Sequence, residues 1–241
     1  MSSSAMLPPG VSRIESLAVP WKGTSIGIQL LSCDAHEFDL EAFAEERILL
    51  PPWIARCAHK RQAEFFFGRY AAKLAIRAVG GPVADVLIGA AREPLWPAGL
   101  IGSITHTADF AAASVAHGAN CNGLGIDIER VAGEDELAAL CSLVVSNEEL
   151  QLVDSLVSRF SRSHLLTMIC SAKESLFKAV FAVVRRFFDF HSARVVDIRP
   201  EANQLIVELQ EYLCPEFPRG IRCTIHVGEI TEQTLFTSFV W

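Results

Sequence analysis

The sequence predicts an α+β protein built as two similar halves, residues 1–121 and 122–241, each with one dominant helix on a small, mostly antiparallel sheet. Two observations carry this. Each half holds one long segment with apolar residues at three- and four-residue steps: Ala63, Phe66, Phe67, Tyr70, Ala71 and Leu74 in the first, Leu165, Leu166, Ile169, Leu176, Val180 and Val184 in the second. The other ordered segments are short apolar runs of strand length separated by turn residues.

In chain order, residues 1–22 are Ser- and Pro-rich without a clear period and are expected to form a loose leader. Thr24 to Leu31 alternates as a strand does, and Pro51-Pro52 breaks the chain after a short acidic helix. The first long helix is expected from Trp53 to Val79, where Gly80-Gly81-Pro82 stops it. Strands are expected at Val83–Gly89, Ile101–Thr105, Phe110–His117 and Gly123–Val131. Acidic, helix-prone residues follow from Glu134 to Leu156, then the second long helix from about Ser163 to Phe188. Four strands close the chain at Ala193–Ile198, Gln204–Gln210, Ile221–Ile230 and Leu235–Val240.

At 51% apolar and 20% charged residues, the 241-residue chain can bury a core and is not a disordered sequence. No stretch of 18 apolar residues runs free of charge, so no membrane span is expected, and the N-terminus has no secretory-signal pattern. Seven cysteines are spaced too widely for a CxxC knuckle and are expected as reduced thiols in a cytoplasm. A net charge of −7 argues against a nucleic-acid partner. Within that acidic chain, Arg56, Lys60, Arg61, Arg69, Lys73 and Arg77 face only Glu64, which suggests a small polyanionic ligand.

Four segments can carry chemistry. In GLGIDIER, residues 123–130, strand alternation puts Leu124, Ile126 and Ile128 on one face and Asp127 and Glu129 side by side on the other. Two such carboxylates repel unless a cation sits between them, and hard oxygens suit Mg²⁺; a solvated outer face is the plain alternative. Gly123 and Gly125 clear room for close approach. In SAKESLFKAV, residues 171–180, Glu174 and Lys178 share a helical face, as ordinary surface pairs do. Retention of Lys173, Glu174 and Lys178 in an otherwise apolar helix suggests a metal-completing carboxylate and phosphate-holding lysines. In AREPLWPAGLIGSITHT, residues 91–107, Ser103, Thr105, His106 and Thr107 offer hydroxyls and an imidazole suited to phosphate oxygens. In KRQAEFFFGRYAAKLAIR, residues 60–77, Arg69, Lys73 and Arg77 form a basic ridge or a solvated face. Nucleophile and Walker A signatures are absent, so a nucleophile would come from a second substrate.

These four segments together resemble the 4′-phosphopantetheinyl transferases of the surfactin- and enterobactin-synthetase type. The shared motifs are GIDIE at 125–129, CSAKESLFKA at 170–179, KRQAEFFFGRYAA and REPLWPAGLIGSITH; they span Lys60 to Ala179, half of the chain. One departure is Cys170, where the family pattern has an aromatic residue. The resemblance implies transfer of the 4′-phosphopantetheine arm of coenzyme A to a serine of an apo acyl, peptidyl or aryl carrier protein, with release of 3′,5′-ADP. It implies two similar α+β subdomains with the active site in the cleft between them. The nucleotide end of coenzyme A would then fall to residues 1–121, the metal ligands and catalytic helix to 122–241. It further implies Mg²⁺ on Asp127, Glu129 and Glu174, with Glu174 or a water it holds as base and Lys178 stabilising the departing phosphate beside Lys173. Arg61, Arg92, Thr105 and His106 would contact the nucleotide end, His106 at the 3′-phosphate, with Ser103 and Arg69 as further coenzyme contacts. A monomer serving siderophore or secondary-metabolite biosynthesis is the expected setting. The competing expectation is a metal-dependent phosphohydrolase on a nucleotide-like substrate, using the same carboxylates to activate water.

Overall fold

A computed structural model of the protein describes residues 6–241. The chain divides into two compact units, Met1–Cys121 and Asn122–Trp241.

In the first unit, β1 (Val11–Trp21) runs antiparallel to β2 (Thr24–Cys33). A four-residue helix, α1 (Ala42–Glu45), and a short turn at Ile54–Arg56 precede the long α2 (His59–Ala78). Then come the two-residue strands β3 (Leu87–Ile88) and β4 (Pro94–Leu95), and the longer β5 (Leu100–His106) and β6 (Phe110–His117). The main sheet has the order β1-β2-β6-β5, antiparallel throughout. The face beneath α2 carries Leu31, Ala111, Ala113 and Val115 against Ala63, Phe66, Ala71 and Ala75. Phe66 is fully buried within an aromatic cluster, with ring centroids 5.2 Å from Phe43 and 5.3 Å from Phe38. Such pairs add about 0.5–1.5 kcal/mol each beyond area burial.

The first unit corrects the sequence reading three times. Residues 1–5 of the expected leader lie outside the described residues, but Val11–Trp21 is a full strand with Val19 buried. It is the edge strand of its sheet, which is why Pro20 is tolerated and why a polar, irregular sequence suffices. Of the strand expected at Val83–Gly89, only Leu87–Ile88 forms, paired with Pro94–Leu95. The first long helix starts at His59 because the residues after Pro51-Pro52 make a separate turn.

In the second unit, β7 (Leu124–Arg130) is followed by α3 (Glu134–Leu143), α4 (Asn147–Leu156) and the 23-residue α5 (Arg162–Val184). The strands β8 (Ala193–Arg199), β9 (Gln204–Leu209), β10 (Arg222–Thr231) and β11 (Thr234–Val240) complete a sheet in the order β7-β11-β10-β9-β8, also antiparallel. Ser161 caps α5, accepting from the His164 N–H at 3.1 Å; the helix ends at Arg185, whose φ of 51° is left-handed. That stops it four residues short of the expected Phe188. Leu165, Ile169, Leu176 and Val180 bury this helix against Leu205, Val207, Ile225 and Leu235. Among the described residues no helix is long and apolar enough to cross a membrane.

Candidate functional site

The acidic strand and the catalytic-type helix meet within the second unit. A Cβ on Gly125 would lie 1.9 Å from the Ser175 carbonyl oxygen, and one on Gly123 2.3 Å from that of Ala179. What the two glycines admit is therefore the backbone of α5. Alternation along β7 then turns Asp127 and Glu129 toward that helix, not to a solvated outer face. Leu124, Ile126 and Ile128, on the opposite face, are buried as well.

Asp127 is 3% exposed. Its Oδ1 accepts from Lys178 Nζ at 2.6 Å and its Oδ2 from Ser171 Oγ at 2.8 Å. Thr237, Asp127's cross-strand partner on β11, donates its hydroxyl to the Ser171 carbonyl at 2.8 Å. Ser171 and Thr237 thus hold the carboxylate in place, a role the sequence reading missed. Ser171 was visible as the first residue of the helix motif, but Thr237 has no local signal and is found only through strand register.

Glu129 and Glu174 share the surroundings of Asp127. Burial, then the neighbouring charge of Asp127, pushes the Glu129 carboxyl up to about 7; Lys178 opposes this, and Glu174 adds to the rise. Glu174 is also raised, first by burial, with Lys178 opposing and Asp127 adding. Cys170, pushed up to about 12 by burial and then by Glu129, Asp127 and Glu174, is an un-ionised thiol beside them. Three carboxylates with mutually unfavourable charges are a donor set suited to a hard divalent cation. Among the described residues, no three His, Cys, Asp or Glu side chains are already grouped to hold a metal ion.

The raised carboxyl has a consequence for stability. The fold favours protonated Glu129, so that contribution is full below the ordinary value of 4.5 and is lost as pH rises through about 7. In excess chelator, the melting temperature should fall as pH climbs across this window. Glu129→Gln should flatten the slope, as read by thermal denaturation at stepped pH. An equal slope in wild type and variant would place the titration elsewhere.

Lys173 departs from its expected place beside the donor phosphate. It is 2% exposed, and its Nζ donates to the Val144 carbonyl at 2.7 Å and to Glu149 Oε2 at 2.9 Å. Burial lowers its pKa, and Glu149 works in the opposite direction. Glu149, fully buried, also accepts from the Val195 N–H at 2.7 Å and the Ser146 N–H at 2.8 Å, tying α4, β8 and α5 together. Ser146 and Glu149 form a Ser-x-x-Glu capping box at the start of α4, from which the Glu149 side chain turns inward onto Lys173.

In the first unit, Arg61 Nη1 lies 3.4 Å from His106 Nε2 and 3.2 Å from Glu64 Oε2. Both Arg61 and His106 are exposed. Ser103 and Thr105 do not join them: strand alternation puts both on the other face of β5, where they are buried. Arg92 is exposed in the tight turn joining β3 to β4, with a left-handed φ of 67°. Arg69 stacks on Phe65 at 4.8 Å and lines a cavity of about 800 Å³ with Trp53, Phe65 and Lys73. Its buried Nε has no hydrogen-bond partner, and burial followed by Arg61 lowers its pKa to about 10. Lys73, by contrast, is paired with Glu46 at 2.6 Å.

Comparison with known proteins agrees with this architecture. Residues 45–116 match the 4′-phosphopantetheinyl transferase N-terminal domain, and residues 123–226 match the 4′-phosphopantetheinyl transferase superfamily. The enterobactin synthase component D of Salmonella typhimurium is 34% identical over 165 residues, 67% of each chain. The 4′-phosphopantetheinyl transferase Npt of Nocardia iowensis is 33% identical over 170 residues, 70% of this chain and 72% of its own. The transferase PptT of Mycobacterium tuberculosis is 32% identical over 146 residues, 60% of this chain and 62% of its own. Two matched domains on a two-unit α+β fold define a transferase of carrier-protein arms. The chain belongs to the 4′-phosphopantetheinyl transferase superfamily.

Proposed function

We propose that this transferase moves the 4′-phosphopantetheine arm of coenzyme A to a carrier-protein serine with Mg²⁺ held by Asp127, Glu129 and Glu174, releasing 3′,5′-ADP. The observation that carries the reading is the buried Asp127 carboxylate set against Lys178 on α5, with Glu129 and Glu174 electrostatically coupled to it. A bound Mg²⁺ would neutralise diphosphate charge, the main requirement of phosphoryl transfer. Glu174 takes the proton from the serine hydroxyl; burial raises its pKa, which makes it a stronger base than an exposed carboxylate. The serine oxygen bonds to the phosphorus that carries the pantetheine, and the bond from that phosphorus to 3′,5′-ADP breaks. Lys178 meets the charge on the departing phosphate. Lys173 is assigned to fixing α5 rather than to phosphate.

The first unit is assigned the nucleotide end, through Arg61, His106, Arg69 and Arg92. Ser103 and Thr105, buried on the other face of β5, stay in the proposal as coenzyme contacts separate from the Arg61–His106 pair. Acyl, peptidyl or aryl carrier domains are the second substrates, in siderophore or secondary-metabolite biosynthesis; action as a cytoplasmic monomer belongs to the same proposal. The test is to mix the protein with coenzyme A, Mg²⁺ and an apo carrier panel and weigh the carriers. A gain of one phosphopantetheine is expected. Hydrolysis of coenzyme A without carrier gain would restore the phosphohydrolase reading, and full transfer in excess chelator would remove the metal.

A narrower test concerns the 3′-phosphate. Losing one charge-assisted contact should weaken coenzyme A binding on the order of ten- to a hundredfold. His106→Ala should show that loss with coenzyme A and almost none with dephospho-coenzyme A by calorimetry. Equal weakening of both ligands would take His106 away from the 3′-phosphate.

A further inference from the structure

We infer that Lys178 is an internal competitor for the metal: its ammonium holds the Asp127 oxygen that a cation would use, and cation binding releases it. The inference rests on the metal reading above. Lys178 Nζ sits 2.6 Å from Asp127 Oδ1, the carboxylate oxygen left over from the Ser171 contact. Of the two partners, Asp127 is the fixed one. It is short, almost fully buried and held by Ser171, on a strand packed hard against α5 at Gly125. Lys178 is the movable one, with a flexible four-carbon stem and a side chain 26% exposed.

Charge points the same way. The Lys178 ammonium and a divalent cation would be drawn to the same Asp127 carboxylate, each at the other's expense. A divalent cation at Asp127 would repel the ammonium and take over its contact there, and a displaced ammonium is what an incoming diphosphate attracts. Metal and anionic donor should therefore bind with positive coupling carried by Lys178. Removing Lys178 should have two effects of opposite sign: slower transfer and tighter metal binding.

The experiment is calorimetric titration of Mg²⁺ into the full-length protein without coenzyme A. Lys178→Met should bind Mg²⁺ about tenfold tighter than wild type, the size expected for loss of one charged competing contact. Lys178→Arg, which keeps the charge, should remain near wild type. Arg130→Met is the control for net charge: it removes a cation next to Glu129 whose guanidinium pairs with Glu136 at 3.0 Å. It should tighten binding by less than about twofold, as expected for an exposed, solvent-screened charge. Equal tightening in Lys178→Met and Arg130→Met, or none in Lys178→Met, overturns the competition. Glu174→Gln separates the two levels of the argument: if it leaves Mg²⁺ affinity unchanged, the metal site itself is refuted. If it weakens Mg²⁺ while Lys178→Met fails to tighten it, only the competition is refuted.

Discussion

Asp127→Asn should slow carrier modification on the order of a thousandfold while the protein remains folded, a loss of the size seen when one preorganised electrostatic group is removed from an active site. The amide keeps an oxygen for the Ser171 hydroxyl, so the contacts among β7, β11 and α5 survive. It loses the charge that holds Lys178 and, on the proposed reading, the metal. Asparagine is a cleaner choice than alanine, which would also strip Ser171 of its acceptor in a buried network. Rates come from the mass of the carrier with time, and integrity from circular dichroism melting. An Asp127→Asn protein within tenfold of the wild-type rate would move the chemistry away from this carboxylate.

Glu149→Ala should be the most destabilising single change in the second unit. It leaves the Lys173 ammonium buried without its counter-charge and removes the acceptor of the Val195 and Ser146 amides. Breaking a buried ion pair from one side costs about 3–5 kcal/mol. For a chain of this length, that lowers the melting temperature by on the order of 10 °C. The double variant Glu149→Leu/Lys173→Met, which leaves no lone charge, should recover much of the loss. Thermal and urea unfolding of the three proteins decide it. A Glu149→Ala protein less than about 1 kcal/mol below wild type would mean that the pair is open to water.

The two long helices and most of the strands were legible because each writes its period into consecutive residues. Phe66, Phe67 and Tyr70 declare one face of α2, as Leu165, Ile169 and Leu176 do for α5. β1 was missed because an edge strand with Pro20 and several polar positions shows little period. The carboxylates and lysines of the two motifs stood out because charge in an apolar context is unusual and local. Their relations were a different matter. Asp127 and Lys178 are 51 positions apart, and Glu149 and Lys173 are 24 apart. Nothing in a linear pattern distinguishes a lysine aimed at a carboxylate from one buried under another helix, so Lys173 and Lys178 read alike. Ser103 and His106 likewise read as one cluster until the pleat of β5 set them on opposite faces. The sequence established which residue types were available and on which elements, because periodicity and spacing act over a few residues. Which ammonium meets which carboxylate was settled by the packing of α5 against Gly123 and Gly125, because hydrogen bonds and charge pairing depend on distances in space that only the folded chain defines.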